Sequence, residues 1–242
     1  MQTVNIRHIF HIHRHKITLG LLLVLFSSKA FSQMNIAEND EVAYQHKLHF
    51  GVELGYNTSN FKVTLSNVYT TTSLVKTAQS YNGPGFTLGI ISDLRLWRYL
   101  DLRFIPDLSF GDKSLHFLTP DSTVIKDIQS TYIDLPLDLK YKSLPYKDVR
   151  FYIFAGASYS IDFSSTSKAR LAENLVKISP DDVSAEYGLG MEIHLPLVII
   201  SPEIKFSYGL INVLTPNSDL IYSTVLQGLR VRTVLFSIHF EG

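Results

Sequence analysis

His49, His194 and His239 each have acidic residues nearby in sequence. A histidine and a carboxylate beside a serine or an activated water could hydrolyse an ester, the chemistry a lipid-modifying enzyme uses. No nucleophile elbow and no recognisable triad spacing accompanies them, so they read as solvated or packed histidines. His8, His11, His13 and His15 cluster like metal ligands, but they sit in a basic N-terminal stretch that processing would remove. The GPG at Gly83 to Gly85 precedes a strand and no helix, so it reads as a turn and not as a phosphate cradle. There is no P-loop, no clustered metal motif and no cysteine, which removes disulfides, thiolate chemistry and lipidated cysteine. The expectation is a noncatalytic protein with no catalytic residue, cofactor, metal or small-molecule substrate.

What remains is a chain of 242 residues, 45% hydrophobic, with no formal net charge. Neutrality argues against nucleic acid as a partner, because a nucleic-acid binder needs a basic excess to replace phosphate counterions. Arg7, Arg14 and Lys16 precede the apolar run Ile17 to Phe26, and Ala30 and Ser32 suit signal peptidase. That run is well short of the ~20 residues a spanning helix needs. The organisation expected is a cleaved signal peptide at 1–32, a periplasmic leader at 33–45 and a single domain at 46–242.

The elements that would position any functional group show a two-residue period, the signature of strands with two unlike faces. In TYIDLPLDLKYKS (Thr131 to Ser143), Ile133, Leu135, Leu137, Leu139 and Tyr141 share one face, and Tyr132, Asp134, Pro136, Asp138, Lys140 and Lys142 the other. Similar segments begin near Leu48, Phe86, Leu100, Val149, Val183, Ile199 and Leu229, making eight with the first. In the last, Leu229 and Val231 fall out of phase with Phe236 and Ile238. Either a bulge lies near Thr233 or that end rises beyond a membrane. Pro106, Pro136 and Pro202 each remove a ladder donor and need local irregularities.

Short and long connections alternate along these segments, as in an outer-membrane barrel with short periplasmic turns and longer extracellular loops. The polarity agrees. Leucine and phenylalanine stripes on this scale suit lipid better than water. The opposite faces carry Glu53, Asp93, Arg95, Asp101, Arg103, Asp107, Asp134, Asp138, Lys140, Arg150, Asp162, Glu186, Glu192, Glu203 and Lys205, which could form a polar network in a narrow lumen. The fold class expected is all-β: an eight-stranded antiparallel transmembrane barrel, filled by its own side chains. Its location would be the outer membrane of a Gram-negative bacterium, with outer-membrane lipid as its first partner.

The strand YIDLPLDLKYK, followed by VRFYIFAGASYSI and VSAEYGLGMEIHL, resembles the PorT-like family of outer-membrane barrels in Bacteroidetes. The residues that carry the resemblance are Tyr132, Ile133, Pro136, Leu137, Leu139, Lys140 and Tyr141. Asp138 departs from it, since many members are apolar there, as does the ending FEG after Phe240. The resemblance implies a noncatalytic part in type IX protein secretion, with secretion or cell-envelope proteins as partners. The alternative is a general structural or adhesion barrel.

Overall fold

The computed structural model describes residues 47–65, 77–118, 123–163, 177–215 and 226–242. The expected signal peptide and leader, with the histidine cluster, lie outside the described residues. Among the described residues no helix is long and apolar enough to cross a membrane. The described residues form eleven strands: β1 (Leu48–Leu65), β2 (Thr77–Trp97), β3 (Leu100–Phe104), β4 (Asp107–Leu118), β5 (Thr123–Lys142), β6 (Val149–Asp162), β7 (Lys177–Ile178), β8 (Asp181–His194), β9 (Ile199–Gly209), β10 (Leu214–Thr215) and β11 (Leu226–Glu241).

Nine of them form a closed antiparallel ring. β1 pairs with β2; β2 pairs with both β3 and β4; these pair in turn with β5; and β6, β8, β9 and β11 lead back to β1. β7 and β10 form a separate two-residue ladder. The nine segments correct the eight expected, because the third is split at Ile105 and Pro106. The ladder keeps its register across the split: Phe104 faces Leu137, and Asp107 faces Asp134. The pairing leaves Pro106 and Pro136 at the same irregularity, which confines two missing donors to one site. The carbonyls there still accept, from Ile90 N–H to Pro106 O (3.0 Å) and from Ile105 N–H to Pro136 O (3.4 Å). Pro202 coincides with a gap in the β8–β9 ladder between Glu203 and Ile200.

The side-chain period sorts the two faces as expected. On β1, Leu48, Phe50, Val52, Leu54 and Tyr56 are exposed on the outside, while Glu53 and Asn57 are buried inside. On β5, Leu137, Leu139 and Tyr141 are exposed and Asp138, Lys140 and Lys142 are buried. The outer aromatics stack near one level: Phe86 on Phe110 at 4.6 Å, and Tyr187 on Phe206 and Tyr208 at 5.5 and 6.1 Å.

Beyond that level the polarity inverts, on β1 and β11 without any change of register. β1 and β11 pair continuously from Gly51↔Glu241 to Thr64↔Gly228, and the shift comes only at Thr64/Leu65. There is no bulge at Thr233, so Leu229 and Val231 simply continue the inward face. The phase change in the sequence is a change of environment. Above the aromatic level Lys62 and Arg230 point outward and are exposed. Phe61, Ala78, Leu115, Leu226 and Leu229 turn inward and pack with Val213 and Leu214 into an apolar cap. β1 runs on to Leu65 and β2 starts already at Thr77, so both strands extend past the segments that the sequence begins near Leu48 and Phe86. Gly83 to Gly85 therefore lies within β2 and is not a turn. It sits at the β2–β4 register shift, where a Cβ on Gly83 would collide with the Asp112 carbonyl.

The opposite end carries the start of β1, the end of β11 and three short connections, 98–99, 143–148 and 195–198. In the second, Tyr146 and Val149 exchange both backbone hydrogen bonds, so Lys147 and Asp148 form a two-residue hairpin loop.

The packed lumen as candidate functional site

The interior of the ring is a stack of ion pairs. At its centre Arg103, fully buried, meets Glu203 with both terminal nitrogens, at 2.7 and 3.1 Å. Its Nη2 also lies 3.6 Å from Asp138. The guanidinium packs over the Phe154 ring, 4.5 Å from its centroid. Tyr152 donates to the same Glu203 at 2.7 Å. The two rings cross the lumen because β8 has glycines opposite them: a Cβ at Gly188 would strike Phe154, and one at Gly190 would strike Tyr152.

Toward the short-turn end, Lys140 bridges Asp93 at 3.2 Å and Glu192 at 2.7 Å, with its ammonium 4.5 Å above the Tyr152 ring. Lys142 pairs with Asp101. Arg95 approaches His49 at 3.5 Å. Arg150 is buried and faces Glu192 across the β6–β8 ladder. Toward the capped end, Lys205 lies 3.7 Å from Glu186. Asp134 faces Asp107 across the β4–β5 ladder. Arg103 and Lys140 each serve two carboxylates, which is how a lumen with more acids than bases is held together. Buried charges persist only when paired and hydrogen-bonded in this way.

Every residue expected in the lumen network is on the inner face, but the partners come from far along the chain. The family-type strand divides between the faces. Tyr132, Pro136 and Lys140 point in, whereas Ile133, Leu137, Leu139 and Tyr141 point out. Lys113, Asp182 and Tyr152 also belong to the interior and were not among the expected network. Lys113 donates to Tyr132 at 2.9 Å. Extending the two-residue period of β4 past Ser109 would have found it.

His239 is the nearest approach to a catalytic arrangement. Its Nε2 lies 3.0 Å from Ser237 Oγ and 3.2 Å from Glu53 Oε1, while Nδ1 is 3.9 Å from Glu203. A Ser–His–acid triad needs serine on one ring nitrogen and acid on the other. Here one nitrogen serves both, and His239, Glu53 and Ser237 are all buried. No substrate carbonyl can reach that serine. Small gaps lie in the lumen among the described residues. One of about 60 Å³ lies beneath the cap among Asn57, Asp107, Lys113, Asp182 and Lys205, and one of about 20 Å³ lies near His49, Arg95 and Lys142.

A closed antiparallel ring with charge inside and leucine, phenylalanine and tyrosine outside is the reverse of a water-soluble barrel. It defines a class of protein built to sit in an apolar surrounding. Residues 31–215 match the family described as outer membrane protein beta-barrel domain, and the chain belongs to that family. Membership implies the outer membrane as its location. No curated protein matches the chain. Among solved structures it is similar to OprG from Pseudomonas aeruginosa, at 10% identity, covering 81% of this chain and 97% of that one, with a TM-score of 0.47. It is similar to Neisserial surface protein A at 10% identity, covering 78% and 95%, with a TM-score of 0.43. For the Yersinia pestis attachment invasion locus protein Ail, in complex with sucrose octasulfate, the values are 14%, 81% and 100%, and 0.37.

Proposed function

We propose that the chain is a noncatalytic transmembrane barrel, eight-stranded when β3 and β4 count as one, that works through its outer surfaces and not through a pore. The observation that carries this reading is the filled lumen: among the described residues Arg103, Lys140, Tyr152 and Phe154 are buried across it, with the apolar cluster of Phe61, Leu115 and Leu229 beyond them. Outward apolar runs such as Leu48 to Tyr56 and Phe86 to Leu96 measure about 27 to 34 Å along the strand. At a tilt of about 40° that is roughly 21 to 26 Å of height, close to the apolar band of outer-membrane barrels. The short connections then face the periplasm and the capped end faces outward.

The role proposed for this barrel is support of type IX protein secretion by assembly with other envelope proteins. The resemblance carried by Tyr132, Ile133, Pro136, Leu137, Leu139, Lys140 and Tyr141 supports it. Partner contacts fall to the periplasmic turns and outer loops, since the lumen offers no access. The test compares extracellular and periplasmic proteins in wild type, an in-frame deletion and a complemented deletion. Accumulation of C-terminally signalled cargo in the periplasm of the deletion, reversed on complementation, supports the role. Matching secretomes with altered surface attachment would overturn it in favour of a general structural or adhesion barrel. In planar bilayers the purified protein is expected to give no steady conductance, and a stable open channel would contradict the closed lumen.

A further inference from the structure

Three basic side chains stand together on the outer wall where the apolar belt ends. Lys62 on β1 lies directly opposite Arg230 on β11, and one outward pair closer to the belt Arg232 lies opposite Asn60. All three cations are exposed. Arg232 rests 5.5 Å from the centroid of Tyr208, its register partner on β9, which is itself part of the aromatic level. Stacking on the ring holds the guanidinium at that height and leaves its edge free to donate.

Like charges placed directly opposite across a ladder repel. Among the described residues no carboxylate answers them. The outward acids on either side, Asp112 on β4 and Asp181 on β8, are at least two strands from any of the three, at least about 10 Å. Asp181 is occupied by the Tyr159 hydroxyl, which donates to it at 2.7 Å. This contrasts with the lumen, where Arg103, Lys140, Lys142 and Lys205 all lie beside carboxylates. An unneutralised cation triplet with a tyrosine at the edge of a lipid-facing belt is complementary to anionic groups at headgroup height.

We propose that Lys62, Arg230 and Arg232, beside Tyr208, bind phosphate groups carried by outer-leaflet lipid. The proposal rests on the membrane reading above. It is tested with the mature chain folded into phosphatidylcholine vesicles, titrated with bisphosphorylated lipid A, with the same lipid dephosphorylated, and with inorganic phosphate. Wild type is expected to prefer the bisphosphorylated lipid at least tenfold. The K62Q/R230Q/R232Q variant should lose that preference, while K47Q/K147Q, which removes exposed cations at the other end, should keep it. The heat-dependent electrophoretic shift of a folded barrel confirms that each variant is assembled. Failure of the wild type to insert would sink the membrane reading and the patch together. Insertion with equal binding of both lipids, or retention of the preference in the triple variant, would overturn the patch alone. Equivalent binding of inorganic phosphate would overturn its assignment to lipid.

Discussion

The ring has two storeys built from the same strands with opposite chemistry. Between the short turns and the aromatic level, charge is inside and hydrocarbon outside. Above it, Phe61, Leu115 and Leu229 are inside, while Asn60, Lys62 and Arg230 are outside. β1 and β11 pass through both storeys in a single register. The difference teaches that backbone pairing is indifferent to what surrounds it. The surroundings select which face holds the leucines, and the strand only guarantees that there are two faces. In the lower storey an apolar exterior leaves polar side chains as the filling, with Arg103, Lys140, Lys142 and Lys205 each beside a carboxylate, and in the upper one water outside permits an ordinary hydrophobic core.

The two interiors should therefore fail in different ways. Arg103→Ala leaves Glu203 and Asp138 buried without their cation, a loss of about 3 to 5 kcal/mol. Urea unfolding from micelles, followed through Trp97, the single tryptophan, measures it. Pairing the change as Arg103→Met with Glu203→Gln should recover most of the loss, because the desolvation cost disappears with the charges. If the double variant were as unstable as the single, the central pair would matter for packing and not for charge. In the upper storey Leu229→Ala, at a fully buried position of the cap, is expected to cost about 2 to 5 kcal/mol through lost burial and a cavity. The same unfolding titration reads it. A negligible loss there would mean that the cap is not packed as a core.

Exterior substitutions sharpen the contrast on one strand. Val52→Arg, in the middle of the outward apolar run of β1, should cost about 2 to 4 kcal/mol in lipid vesicles. Thr64→Arg, on the same strand and the same outward phase but in the upper storey, should stay within about 0.5 kcal/mol of wild type. Equal effects at the two positions would place both in one solvent and erase the distinction.

The outer stripes were legible because a period of two needs only neighbours in sequence. Leu137, Leu139 and Tyr141 could be assigned to a face without knowing what they touched. The inner pairing was not legible, since Arg103 and Glu203 are 100 residues apart and meet only when the ring closes. The upper storey was hidden for a different reason. Leu115 and Leu229 obey the same period, but their polarity is reversed, so a reading that follows hydrophobicity ends the strand at the aromatic level. The out-of-phase Leu229 and Val231 were the visible trace of that reversal. Pro106 marked the split between β3 and β4, though not that Pro136 would share its irregularity.

A small gain in stability is expected at the short-turn end, where neither interior is involved. The hairpin loop Lys147–Asp148 has Lys147 at φ 53°, and no other described non-glycine residue has a positive φ. In a two-residue loop a positive φ at the first central position alone is the pattern of a type II′ turn, which favours glycine there. A side chain in that region crowds the backbone, and removing it should relieve about 1 to 2 kcal/mol. Glycine gives back part of this through its greater freedom when unfolded, about 0.5 to 1 kcal/mol. Lys147→Gly is thus expected to raise stability by about 0.5 to 1 kcal/mol, with no change in either storey. Urea midpoints of Lys147→Gly and Lys147→Ala separate the two contributions: alanine keeps the Cβ and should show no gain. A gain with alanine as large as with glycine would trace the effect to the lysine's charge beside the turn and remove the strain at φ 53° as its cause.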